Sequence, residues 1–283
     1  ILLKAVPEPA RLKPLLKLGK LARPLVPGSL RNKVPEVSAA SAPWPTGNHD
    51  RKVILLQGCV QSVTHPQINA AAATVLDRLR ISSIPGDGCC GALSQHMPEE
   101  EQTLETARRN IDRWWPMIEG GAEAVLLTAS GCAPTVMDYG RLLENDPDYA
   151  ERASRVSSLA MDISVFLEQQ DLDSLKPSPP SGAIAFHAPC SLQHGLKRPG
   201  RVEALLQGLG FELTPVADAH ICCGSAGSYS ILQRELSQRL LQDKLRHLES
   251  GDPTLIATAN IGCLQHIQGG TPLRVVHWIE LLA

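Results

Sequence analysis

The sequence predicts an α/β protein of two tandem homologous domains, each a parallel sheet with flanking helices, and three observations carry the prediction. Short apolar runs alternate with helical patterns along the chain, the order expected of a parallel α/β sheet. The cysteines fall into two sets of identical order, one, two adjacent, one: Cys59, Cys89, Cys90, Cys132 and then Cys190, Cys222, Cys223, Cys263. The segments around them match as well, "TASGC" ending at Cys132 answering "TANIGC" ending at Cys263, and both adjacent pairs continuing as C-C-G. A repeat at this level marks a duplicated unit.

Taken in order, "KVILLQ" reads as a strand, "QINAAAATVLDRL" as an alanine-rich helix, and "RISSIP" as a weaker strand. "EEEQTLETARRNIDRWWPMIE" follows as a long helix and "AEAVLLTA" as a strand. The second copy supplies "GAIAFH", a helix over "RVEALLQGLG", a strand at "FELTPV", a helix after Gly227 and a strand at "TLIATA". "VSSLAMDISVFLE" and the C-terminal "TPLRVVHWIELLA" echo one another in apolar spacing. The expected organisation is a basic, proline-rich stretch over residues 1–50, a first cysteine-rich domain over 51–175 and a second over 182–283. "DSLKPSPPSG" reads as the linker between them.

Each cysteine site falls just beyond an expected strand, and open parallel sheets place ligand sites at the carboxyl ends of their strands. Thiols tens of residues apart in sequence are thereby brought to one place. In "DGCCGALS" and "HICCGSAG" glycine permits the bend that lets neighbouring thiols face one centre. A set of four sulfurs suits tetrahedral zinc or an iron–sulfur cluster. A disulfide between adjacent cysteines is disfavoured by ring strain, and thiol exchange does not account for the single cysteines that recur with each pair. Neighbouring histidines, His65, His96, His187, His194, His220 and His266, read mainly as supporting or surface groups. His266, three residues after Cys263, is the best placed of them to add a ligand, and Thr135 occupies the matching position in the first copy.

A net charge of -2 and 4% aromatic residues give no global reason to expect a nucleic-acid partner, and none is expected. No apolar run is long enough to span a bilayer. The first residue is Ile1, and the opening stretch is not a signal peptide, so an upstream segment and a cytoplasmic location, at most peripheral on the inner membrane, are expected. Residues 1–35 carry eight Lys or Arg against Glu8. The mixture of basic and apolar residues suits a linker that covers a domain, an anionic membrane surface or a partner subunit. Neither glycine-rich turn has the full dinucleotide-binding form, so flavin or nicotinamide chemistry is not expected on this chain.

The two C...CCG...C sets resemble the CCG domains of heterodisulfide reductase B-type subunits. With "LLQGC", "RNIDRWWPMIEGGAEAVLLTASGC", "LQHGLK", "HICCGSAGSYS", "TANIGC" and "VHWIE" the chain from about Lys52 onward resembles the iron–sulfur subunits of glycolate oxidase. That resemblance implies Rossmann-like domains and an electron carrier with no catalytic residue of its own. It further implies that all eight cysteines ligate iron–sulfur clusters, most simply [4Fe–4S], with zinc as the alternative in either repeat. The implied partners are flavoprotein dehydrogenase subunits that oxidise glycolate to glyoxylate, with electrons passed toward the quinone pool. The competing expectations are a zinc-filled scaffold and a thiol-disulfide reductase. The family pattern often ends in C-x-x-C, whereas this chain has Thr135 and His266 at the last position, which argues against five-thiolate ligation.

Overall fold

The computed structural model describes residues 5–22, 43–97 and 99–283. Strands β1 (Arg51–Leu56), β2 (Ile81–Gly86), β3 (Ala122–Leu127) and β4 (Ala160–Asp162) form one sheet in the order β2-β1-β3-β4. Strands β5 (Ile184–His187), β6 (Leu255–Thr258) and β7 (Val275–His277) form a second, in the order β5-β6-β7. All pairings are parallel. The central strands are buried runs such as Val53–Leu56 and Val125–Leu127, as expected where helices cover both faces.

The expected strand at "FELTPV" is reduced to a single bridge, Leu213 beside Ile184. Pro215 supplies no backbone N–H to extend the ladder and restricts Thr214 before it. The bridge lies where β2 lies in the first sheet, so the two sheets share one topology. Strands β4 and β7, three residues each, are the structural content of the C-terminal echo in the sequence. They were not expected as strands, because three residues carry no measurable period.

The principal helices are α1 (Pro9–Ala22), α2 (Pro66–Arg78), α3 (Glu100–Glu119), α4 (Ala150–Leu159), α5 (Arg201–Gly208), α6 (Arg234–Glu249) and α7 (Ile261–Gln268). Helix α2 begins with proline in its first turn, where the missing N–H costs nothing, and its buried Ala70–Ala73 run allows close approach to the sheet. Helix α3 opens with Glu100 and Glu101, favourably placed at the positive end of its dipole, and buries Trp114. Of the basic N-terminal stretch, residues 9–22 form α1, which buries Leu12 and leaves Leu15 and Leu18 exposed. Residues 23–42 of that stretch lie outside the described residues.

Among the described residues, one of two apolar core clusters is shared by the two sheets, while the other, with Ile54, Trp114 and Val125, packs the opposite face of the first sheet. The shared cluster runs from Val53, Leu55 and Leu76 through Leu175, in the segment read as a linker, to Ile256, Ile267 and Trp278. Polar contacts also cross between the halves: Ser130 N donates to the Ala259 carbonyl (3.0 Å), Gln265 to Thr64 Oγ1 (2.9 Å) and Arg78 to the Leu282 carbonyl (3.1 Å). The carboxyl ends of β3 and β6 therefore meet.

The ends of β4 and β7 repeat one another with different chemistry. Asp162 caps the short helix Ile163–Leu167 by accepting from Ser164 N (2.9 Å). His277 caps the turn Trp278–Leu281 by accepting from Ile279 N at Nδ1 (3.3 Å), while its Nε2 bonds the Thr128 carbonyl (2.9 Å). These two bonds fix the neutral Nε2–H tautomer. Burial raises Asp162 to about 6 and lowers His277 to about 4.

The signs of the two effects on stability oppose one another. Stability linked to Asp162 is present below its unfolded value near 4 and is lost as pH rises through 6. Stability linked to His277 is present above its unfolded value near 6.5 and is lost as pH falls through 4. Each is worth about 3 kcal/mol over its window. Relative to the wild type, Asp162→Asn is expected to gain stability as pH rises from 4 to 6, and His277→Asn to lose it over the same range. Urea titrations at several pH values read the two slopes.

Candidate metal centres

The eight thiols converge as two quartets, each at the carboxyl end of its sheet. None of the eight forms a disulfide. In the first quartet Cys59 follows β1, Cys89 and Cys90 follow β2, and Cys132 follows β3. Cys59 Sγ and Cys89 Sγ are 3.4 Å apart, and contacts continue from Cys89 to Cys90 and from Cys90 to Cys132. In the second, Cys190 follows β5, Cys263 lies in α7 after β6, and Cys222 and Cys223 follow the Leu213 bridge. Side-chain contacts there run Cys190 to Cys222 to Cys223 to Cys263. Cys89, Cys90, Cys223 and Cys263 are buried, and Cys59, Cys132, Cys190 and Cys222 are half-buried.

The adjacent pairs are held by their backbones. Asn110 on α3 donates to the Cys89 carbonyl (2.7 Å), and the Tyr139 hydroxyl donates to the Cys90 carbonyl (2.8 Å). In the second repeat Ser237 Oγ donates to the Gly224 carbonyl (2.8 Å), and Lys244, wholly buried, donates to the Asp218 and Ala219 carbonyls (2.9 and 3.3 Å). Asn110, Tyr139, Ser237 and Lys244 were not singled out in the sequence. A polar residue on the buried face of an amphipathic helix is the signal that marks all but Tyr139.

Gly91 and Gly224, the third residues of the two C-C-G runs, both have φ of +88°. A side chain at either is strained, but only at Gly224 is it also blocked, since a Cβ there would lie 2.4 Å from the Ser237 carbonyl oxygen. At Gly91 the nearest atom would be 3.6 Å away. Gly91→Ala is expected to cost about 1 kcal/mol, and Gly224→Ala about 3 kcal/mol with distortion of the second quartet. Thermal melts of the two variants check the order.

Crowding sets the ionisation of the thiols. Hydrogen bonds from Cys59 and Cys90 hold Cys89 well below the ordinary thiol range, and those from Cys190 and Cys223 do the same for Cys222. The contact with Cys89 and burial push Cys59 up, while contacts with Cys132 and Cys89 push Cys90 up. Cys190 and Cys223 are raised chiefly by their contacts with Cys222. Each quartet thus favours part of its thiols as thiolate at the expense of the rest. Four adjacent thiolates away from water need a cation among them, because like charges at this spacing disfavour one another strongly. The donor set fits a metal or an iron–sulfur cluster, which deprotonates coordinating thiols outright.

Beside the second quartet His187, the last residue of β5, is 1% exposed, and its ring nitrogens have no oxygen or nitrogen partner, the ring contacting the Cys263 thiol instead. One of its nitrogens, Cys223 Sγ and Cys263 Sγ lie within 4.8 Å of one another. His266 instead bonds Ser237 Oγ (3.3 Å), and Thr135 donates to Gln95 Oε1 (2.7 Å). The positions where C-x-x-C would end thus tie one helix to another. His96, His194 and His220 are exposed, and His65 is half-buried before α2.

The quartets are neighbours. Asn260, next to the Ser130–Ala259 contact, donates to Cys263 Sγ (3.6 Å), and its side-chain oxygen lies 3.3 Å from where a Cβ on Gly131 would stand. Gly131 precedes Cys132 of the first quartet. A cavity of about 100 Å³ opens there, lined by Gly58, Cys59, Val60, Cys132, Asn260 and Ile261 among others.

Comparison with known proteins agrees with the repeat. A family model described as a cysteine-rich domain, CCG, matches residues 53–136 and again 184–268. The chain is 46% identical over 281 residues to the glycolate oxidase iron-sulfur subunit of Escherichia coli, covering 99% of this chain and 69% of that one. It is 28% identical to a probable glycolate oxidase iron-sulfur subunit of Bacillus subtilis, covering 83% of this chain and 55% of that one. Against lactate utilization protein A of Geobacillus thermodenitrificans the identity is 25%, with 82% and 98% covered. The crystal structure of a hypothetical protein from Helicobacter pylori shares the fold, at a TM-score of 0.57 and 10% identity over 89% of this chain and 52% of that one. On the two matched repeats and the identity to the E. coli protein, this chain belongs to the cysteine-rich CCG domain family and, within it, to the glycolate oxidase iron–sulfur subunits.

Proposed function

We propose that this chain is the electron-carrying part of a glycolate-oxidising complex and that its eight cysteines are the ligands of two metal centres, one per repeat. The convergence of Cys59, Cys89, Cys90 and Cys132, and of Cys190, Cys222, Cys223 and Cys263, at the carboxyl ends of two matching sheets carries the reading. An iron–sulfur cluster, of [4Fe–4S] type in this reading, supplies one-electron storage when bound. The chain's own part is to present the thiolates, to fix the adjacent pairs through Asn110, Tyr139, Ser237 and Lys244, and to limit water at the buried members of each quartet.

Oxidation of the 2-hydroxy acid belongs to a flavoprotein partner, and the quinone pool is the acceptor, reached directly or through a further subunit. No helix among the described residues is long and apolar enough to cross a membrane. The basic and apolar N-terminal stretch offers a peripheral contact with the cytoplasmic face. Residues 51–175 and 182–283 act in this reading as two domains of one unit, each with its own centre.

A second reading has a specific observation in its favour: the mixed nitrogen and sulfur set of His187, Cys223 and Cys263 also suits zinc, which would make the second repeat structural. The full-length subunit purified with its partners is expected to contain iron and acid-labile sulfide and to give a paramagnetic signal on reduction. Zinc without sulfide overturns the electron-carrier reading.

A further inference from the structure

The second quartet differs from the first by one buried group. His187 stands three residues before Cys190, as Leu56 stands three residues before Cys59. Both end the first strand of their repeat, and both are buried. An aliphatic residue satisfies that position in the first sheet, so packing alone does not call for an imidazole in the second. The ring nitrogens of His187 have no oxygen or nitrogen partner, and the ring instead contacts the Cys263 thiol, whereas a folded protein pairs buried polar groups with such partners unless they have another use. The other buried imidazole, His277, is fully engaged with Thr128 and Ile279.

We propose that His187 is a nitrogen donor to the metal centre of the second quartet, so that the first repeat holds an all-sulfur centre and the second a sulfur and nitrogen one. The inference rests on the reading that the quartets hold metal. It moves the extra ligand from His266, where sequence spacing points, to a residue at a strand end. Neutral imidazole in the place of a thiolate removes negative charge from the centre, and that replacement raises the potential of an iron–sulfur site. Lys244, whose charge burial disfavours and the neighbouring Cys223 and Cys222 favour, stands near the second centre, where the first repeat uses neutral Asn110 and Tyr139. The second centre is then the easier of the two to reduce. Electrons that enter the pair collect there, with Asn260 lying between the two sites.

The test uses the full-length subunit co-purified with its partners, with histidine labelled by nitrogen-15, and pulsed paramagnetic resonance of the reduced clusters. Labelling is expected to change the nitrogen coupling of one signal in the wild type and to leave the spectrum of His187→Leu unchanged. Leu is the residue that the first repeat carries at this place. His187→Leu is further expected to shift one reduction midpoint downward and leave the others in place. A wild-type spectrum indifferent to labelling overturns the proposal, and so does a coupling that survives in His187→Leu. The wild-type measurement stands even where the variant folds poorly. Iron analysis of the same samples separates the two readings: protein free of iron defeats the iron–sulfur assignment itself, whereas iron-replete protein without histidine coupling defeats the role of His187 alone.

Discussion

Cys223→Ser is expected to strip the second quartet of its metal and lower electron delivery to the acceptor by at least about tenfold, the lower end of what loss of even a supporting group costs a metal site. Cys223 is 1% exposed and touches both Cys222 and Cys263, so its loss opens the middle of the chain of sulfurs. A serine hydroxyl is a hard, poorly ionised donor and does not replace a thiolate toward iron or zinc. Bound iron should fall by the complement of one site, with the first quartet still filled. Reduction of the flavin by substrate in the partner subunit should continue at close to its normal rate. Metal analysis, single-turnover flavin reduction and steady-state acceptor reduction on one preparation separate these quantities. Flavin reduction lost while iron is retained would overturn the relay role. Cys90→Ser is the matched experiment for the first quartet, where burial is equivalent and Tyr139 holds the backbone.

Trp278→Ala is expected to destabilise the whole molecule by about 3–5 kcal/mol, the usual range for truncating a fully buried aromatic residue. Trp278 is 0% exposed, begins the C-terminal turn, and belongs to the core cluster that also contains Val53, Leu55 and Leu76 of the first repeat. The cavity therefore opens between the halves. Both repeats should unfold together in one transition shifted to lower denaturant, with both metal centres released in step. Two separate transitions, with the first quartet unaffected, would show that the halves have independent cores. Trp278→Phe keeps a ring in the space and removes an indole N–H that has no hydrogen-bond partner, so its cost should be much smaller.

The repeat, the strand-end placement of the cysteines and most of the sheet were legible in the sequence because each rests on local or periodic signals. Val53–Leu56 and Val125–Leu127 are buried runs bounded by turn residues, and the order of the cysteines gives the duplication directly. The short strands β4 and β7 were visible only as an echo, since pairing over three residues is decided by the neighbouring strand rather than by the residues' own pattern. The segment "FELTPV" failed as a full strand at its proline. His187 was one of the six histidines that the sequence places near the cysteines. Its distinction, a buried ring whose neighbours are two thiols rather than an oxygen or nitrogen partner, exists only once β5 and α7 are brought together.

By itself the sequence determined that the chain is a duplicated α/β protein whose eight thiols fall into two matching sets, because spacing and repetition are properties of the chain alone. Tertiary structure decided that the two halves share an apolar core cluster, that the sites lie beside each other across Asn260, and that the second site carries an imidazole where the first has Leu56. These depend on contacts between residues far apart in the chain, whose energies come from the burial and pairing that packing imposes and leave no local pattern to read.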